Sequence, residues 1–178
     1  MGFNVEELLD SLDLRLLWEP IPEESHARVL GALRPAHRMV VLNETHLSEL
    51  EANVGLRRFT VGHEVGHWYL HAEHYRAGQI SIDPTGRTWC RSGARDSIER
   101  QAEMYAGCLL IPEDQLRESF PAGREPGWSQ IYELARTFVV TPTAMIVRLE
   151  ELKLAHRDAN GVPQVGQARD ARQGLLFE

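Results

Sequence analysis

Long apolar runs, blocks of basic residues and cysteine are all scarce in this 178-residue sequence. Without some twenty consecutive apolar residues there is no candidate for a membrane-spanning helix. No charged-then-apolar stretch of the kind that directs export opens the chain. No Lys/Arg block offsets the net charge of −7, so a broad nucleic-acid-binding surface is not favoured. Two cysteines, Cys90 and Cys108, build no disulfide framework and suit a reducing compartment. No internal repeat points to a solenoid. The expected setting is the cytoplasm.

What remains is the composition of a globular domain, 43% hydrophobic and 25% charged, long enough for one substantial core. Patterning predicts a helix over Val5–Leu12, then short strands at Arg15–Trp18, Ala27–Leu33 and Arg38–Asn43, the first closed by Pro20 and Pro22. His46–Ala52 begins another helix. A proline-free helix spans Leu56–His74, where Phe59, Val61, Val65, Trp68, Tyr69 and Leu70 suggest a largely buried element. Ala77–Arg95 reads as irregular, with one short strand around Gln79–Ile82 at most. Asp96 or Ser97 then caps a helix that Pro112 ends, with an apolar stripe of Ile98, Ala102, Tyr105 and Leu109. Pro112 suits the first turn of a short helix through Phe120. Beyond a Pro/Gly linker, Pro121–Gly127, come helices at Trp128–Val139 and Pro142–Leu154, the latter capped by Thr141. The polar stretch from Ala155 onward is expected to be largely disordered.

One motif proposes chemistry. His63-Glu64-Val65-Gly66-His67 sets two imidazoles four residues apart around a carboxylate. On a helix those rings lie one turn apart on the same face and can share a metal ion, while Glu64 lies about 100° round from His63, able to address a water without ligating. Neutral imidazoles suit Zn²⁺, and a carboxylate beside the zinc-bound water is the general base of metal-assisted hydrolysis. The string alone arises by chance in roughly 4 of 100 such sequences, so a bland amphipathic helix is the reading to beat.

A catalytic zinc takes three protein ligands and keeps one position for water. His71 and His74 share the first helix, and ligands stacked along one straight helix cannot surround a tetrahedral ion. Glu99 and Glu103 come from a second helix and stand four residues apart, so one can ligate while the other supports a ligand imidazole. Each has a plainer role: Glu99 as the return half of a capping box from Asp96, Glu103 as a solvated helix residue. Spacing leaves the choice between them open. Cys108, nine residues after Glu99, lies about 180° round the helix and is read as a small buried thiol. Cys90 is read as no part of the site.

The stretch RRFTVGHEVGHWYLH, followed by IERQAEMYAGCLLIP, resembles the ImmA/IrrE family of zinc-dependent metallopeptidases. Arg58, Phe59 and Thr60 match that family's lead into HExxH. Glu99, Ala102, Tyr105, Ala106, Leu109, Leu110 and Pro112 match its later helix, and LARTFVVTPTAMIVRLEEL is similar to its C-terminal helices. The resemblance spans roughly residues 27 to 154. It implies His63, His67 and Glu99 as ligands of Zn²⁺ (or Mn²⁺), Glu64 as catalytic base, and a gluzincin-like endopeptidase. It further implies a protein substrate, a helix-turn-helix transcriptional repressor cut at one site in response to stress or element induction. Two positions depart from the family pattern: Glu103 stands for the usual Asn or Asp, and Gly62 for the usual alanine.

The oxyanion of the reaction needs a further donor, and His71, His74, Tyr69, Tyr105 and Arg95 are unranked candidates. A competing function makes residues 134–149 a helix-turn-helix, in a metal-binding regulator that binds DNA or a partner without hydrolysis. Between Thr141 and Leu152 there is one cation, Arg148, against Glu150 and Glu151, which favours a buttressing helical pair over a groove-reading one. A metal-bound scaffold without catalysis is a third reading. The expected architecture is α+β: a small antiparallel sheet beside a helical bundle that carries the HExxH helix. Residues 1–120 form the metallopeptidase core, 121–154 a C-terminal helical subdomain and 155–178 a flexible tail.

Overall fold

The computed structural model describes residues 3–23, 28–78, 80–82, 88–90, 95–120 and 127–165. The chain divides into two compact units, Met1–Leu110 and Ile111–Glu178, and the class is α+β as expected.

In the first unit α1 (Val5–Ser11) starts at Asn4, whose side chain accepts from the Glu6 N–H. Three strands follow, β1 (Arg15–Glu19), β2 (Gly31–Arg34) and β3 (Met39–Asn43), in the order β1-β3-β2. All five residues of the central β3 are buried, as befits a strand flanked on both edges. Its pairing with β2 is antiparallel, through a tight turn at Pro35–His37, but its pairing with β1 is parallel. The sheet is therefore mixed and not purely antiparallel. Alternation of apolar residues marks a strand without stating its direction, and β1 reaches β3 only after the chain has crossed to the far edge. Asn43 closes β3 with a buried side chain that accepts from the N–H groups of Ile21 and Thr45 and donates to the Val29 carbonyl.

Helix α2 (Leu47–Ala52) leads into α3 (Val54–Arg76), capped by Asn53, whose side chain accepts from the Leu56 N–H at 3.0 Å. The buried face of α3 is unusual in its chemistry: with Val61, Gly62, Val65 and Gly66 it carries Thr60, Glu64, His67 and His71. Tyr69 and Leu70, expected inside, are exposed; the interior follows the polar stripe spaced 4, 3 and 4. Strands β4 (Ile80–Ile82) and β5 (Thr88–Cys90) pair antiparallel, one strand more than the sequence suggests.

Helix α4 (Arg95–Leu110) includes Asp96 and Ser97 in its first turn, not at the position that precedes it. Glu99 is thus a full turn inside the helix, and the capping-box reading of it falls. The buried stripe is Ile98, Ala102, Ala106 and Leu110, whereas Tyr105 and Leu109 are only partly covered. Small residues at the centre of that stripe let α3 and α4 approach closely.

In the second unit α5 (Glu113–Ser119) follows Pro112, which stands just outside the helix. Helices α6 (Trp128–Phe138) and α7 (Pro142–Glu151) pack Ile131, Leu134, Phe138, Met145, Ile146 and Leu149 into the core with Leu116. Thr141 caps α7 as expected, accepting from the Ala144 N–H at 3.1 Å. That helix stops three residues short of Leu154. The chain then forms an antiparallel hairpin, β6 (Ala155–Arg157) with β7 (Pro163–Val165), where a disordered tail was expected. The Asp158 carboxylate, accepting from the Asn160 and Val162 N–H groups, supplies the turn that the composition concealed. The linker at 121–126 and the tail at 166–178 lie outside the described residues. Among the described residues no helix is long and apolar enough to cross a membrane.

Candidate metal centre

The centre is built where α3 meets α4, and Gly66 sets their separation. A β-carbon there would lie 3.0 Å from both the Cα and the carbonyl oxygen of Ala102 and 3.2 Å from the Tyr105 Cβ, closer than packed atoms comfortably approach. A larger residue there would require α4 to give way slightly. At Gly62, by contrast, a β-carbon would meet Ala106 at an ordinary 3.5 Å, so the departure from alanine there is not forced by packing.

With the helices so close, Glu99 comes over the two histidines one turn apart on α3. His63 Nε2 and His67 Nε2 are 3.0 Å apart, and Glu99 Oε2 lies 3.2 Å from the first and 3.3 Å from the second. Hydrogen bonds cannot satisfy all three contacts of that triangle, because each imidazole nitrogen has either one proton or one lone pair to offer. A cation can. Tetrahedral ligand atoms at zinc–nitrogen and zinc–oxygen bond lengths stand about 3.3 Å apart, and two imidazoles with a carboxylate are a zinc donor set. The residues therefore fit a divalent metal. Glu64, beside His63, is 6% exposed.

Charge reinforces the arrangement. Burial disfavours a charged His63 ring, yet the Glu99 hydrogen bond and the charges of Glu64, Glu99 and Glu103 outweigh it and raise its pKa above the ordinary 6.5. Burial acts to raise the Glu99 carboxyl, but the His63 hydrogen bond and the two neighbouring imidazoles hold it far below the usual carboxylate range. Such perturbed groups cluster where chemistry is done.

The family model described as the IrrE N-terminal-like domain, a peptidase family, matches residues 9–150. The chain belongs to the ImmA/IrrE family. Metallopeptidase ImmA of Bacillus subtilis (strain 168) is 24% identical over 78 residues, which cover 44% of this chain and 41% of that protein. The match thus spans less than half the length of that curated relative.

Against the ImmA/IrrE pattern, the structure brings His63, His67 and Glu99 together, with their donor atoms within 4.8 Å of one another. Glu103 is exposed and outside that group. The contact to a histidine of the group that spacing offered Glu103 is made instead by His71, itself in contact with Gln101. His71 Nδ1 lies 3.3 Å from His67 Nδ1, and His71 Nε2 lies 2.9 Å from Gln101 Oε1. Burial lowers the His71 pKa against the opposing Gln101 hydrogen bond, helped by the His67 and His74 charges. With both ring nitrogens engaged, His71 is removed from the candidates for an oxyanion donor. Gln101 went unnoticed in the sequence, and no spacing marks it: two residues after Glu99, it lies about 200° round an ideal helix.

Tyr69 stacks on Tyr105 with ring centroids 5.6 Å apart, and burial together with Tyr69 raises the Tyr105 pKa. Cys108 is exposed, not the buried thiol expected, because it sits on the face of α4 opposite the Ala102–Ala106 stripe. The side chains of Cys90 and Arg95 lie outside the described set.

Proposed function

We propose that this protein is a zinc-dependent endopeptidase in which His63, His67 and Glu99 hold the metal and Glu64 is the general base. The observation that carries the reading is the triangle of two imidazole nitrogens and one carboxylate oxygen at 3.0–3.3 Å, drawn from two helices. Zinc held there would supply Lewis-acid polarisation of a peptide carbonyl and acidify a water, which the side chains alone cannot do. Glu64 follows His63 directly in α3; in the proposed reaction its carboxylate accepts the proton of the attacking water and passes it to the leaving amine. His63 must be neutral to ligate, and Glu99 stays ionised across the physiological range.

The substrate we propose is a cytoplasmic helix-turn-helix transcriptional repressor, cut at one site, which is what membership of the ImmA/IrrE family supports. The alternative, DNA binding through α6 and α7, loses its best residue. Arg148 is 8% exposed, with Nε bonded to the Ile111 carbonyl and Nη1 to Glu151, so the one cation of α7 is spent on the interior.

Elemental analysis of the wild type and of His63→Ala, Glu99→Ala and Glu103→Ala tests the ligand set. About one zinc per chain is expected, lost with His63 or Glu99 and kept with Glu103. A folded wild type that takes up no zinc when supplied with it removes the peptidase reading.

A further inference from the structure

We propose that Gln101 and His71 form a proton-ordering relay that holds His67 in the one tautomer able to present a bare Nε2 to the site; the metal role of that nitrogen rests on the function proposed above. The relay reads in one direction. The Gln101 Oε1 can only accept, so His71 Nε2, 2.9 Å away, carries the proton. A neutral His71 then has a lone pair on Nδ1, and that atom faces His67 Nδ1 at 3.3 Å. His67 Nδ1 must therefore be the donor, which strips the proton from its Nε2. That nitrogen is the one 3.0 Å from His63 Nε2 and 3.3 Å from Glu99.

The orientation of one amide thus decides whether His67 can ligate. Were Gln101 turned to offer its NH₂ group, the protons along both rings would reverse and His67 Nε2 would carry hydrogen. The Gln101 Nε2 lies 3.5 Å from the Ser97 hydroxyl, one turn back along α4, so its donor end faces away from His71. His67 and His71 are each 3% exposed, leaving little water to substitute for the missing partner. His71 and Gln101 are positioning residues: they act through His67, as partners of a ligating imidazole generally do.

The test uses the full chain at a pH above the ordinary imidazole range. Nitrogen-15 NMR of the histidine rings, before zinc is added, reports the His67 tautomer, and competition with a chromophoric chelator reports zinc affinity. Wild type is expected to show the proton on His67 Nδ1. Gln101→Met should give mixed tautomers and weaken zinc about 10–100-fold, as loss of such a partner does. Gln101→Glu, which can only accept, should restore both readouts. Because Gln101 is on the surface, these variants keep the fold, and His71→Phe serves as a second probe from the interior.

An unchanged His67 tautomer and unchanged zinc affinity in Gln101→Met and His71→Phe would overturn the relay. A wild type that shows the Nδ1–H tautomer, loses it in the variants and yet binds no zinc would uphold the relay while sinking the metallopeptidase reading. The two failures are distinguishable.

Discussion

Gly66 of α3 lies against Ala102 of α4 so closely that a β-carbon on the glycine would stand 3.0 Å from the alanine's Cα and carbonyl oxygen. Both are backbone or near-backbone atoms that cannot swing aside. Gly66→Ala is therefore expected to push the helices apart, costing about 1–3 kcal/mol as overpacking does. Because Glu99 rides on α4 and the histidines on α3, the same displacement opens the triangle of donors. Thermal melting and zinc titration of the variant should fall together. An unchanged melting temperature with full zinc affinity would show that the helices are not gauged by this contact.

Gly62 predicts the opposite sign. Its β-carbon would meet Ala106 and Leu110 at 3.5–3.6 Å, ordinary contact, in the middle of a helix. Gly62→Ala should stabilise the protein by about 0.4–1 kcal/mol, because alanine loses less backbone freedom on folding. Denaturant unfolding of the two glycine variants side by side separates spacing from helix propensity.

These two glycines show what a sequence can and cannot announce. His63, Glu64 and His67 are legible because a helix converts a spacing of four into a shared face. Glu99 is legible through the resemblance, but spacing alone could not separate it from Glu103, since choosing between them requires knowing which turn of α4 meets α3. Gly66, Gln101 and His71 in its supporting role depend on that same contact, so their importance emerges only with the packing. The parallel edge of the sheet and the hairpin at Ala155–Val165 were missed for another reason: strand direction and an Asp158-centred turn leave almost no mark on hydrophobic periodicity.

The raised His63 pKa predicts how zinc binding depends on pH. Zinc must displace the proton that His63 keeps to above pH 6.5, whereas Glu99 is already ionised. Apparent affinity should weaken as pH falls through the His63 pKa. Calorimetry near pH 6.5, in buffers of different ionisation heat, should detect proton release that vanishes at higher pH. Chelator-treated protein should behave inversely. The stabilisation from the raised His63 is complete below 6.5 and lost as pH rises past its folded value; that from the lowered Glu99 is present above 4.5 and lost as pH falls. Between those values the pair contributes most. Zinc binding that releases no proton near pH 6.5 would refute the coupling.

Arg148 distinguishes an internal brace from a nucleic-acid contact. Arg148→Ala leaves the Ile111 carbonyl without its side-chain donor and Glu151 without its partner, which should cost about 1–3 kcal/mol. Zinc content should not change, since the three proposed donors all lie in the first unit. A variant as stable as wild type that loses salt-sensitive binding to a DNA duplex would return α7 to the groove-reading role.

Glu64 separates binding from chemistry. Glu64→Gln keeps the shape of the side chain and removes its capacity to take a proton. His63, His67 and Glu99 are untouched, so zinc stoichiometry should remain that of wild type. Cleavage of a protein substrate should fall by about 10²–10⁴-fold in kcat, the usual contribution of a positioned general base, with little change in KM. Equal turnover by the two proteins would remove Glu64 from the mechanism and require another base within reach of the metal. A parallel loss of zinc and turnover would instead assign the buried carboxylate to holding the site together, because a group needed only for proton transfer leaves the metal where it is.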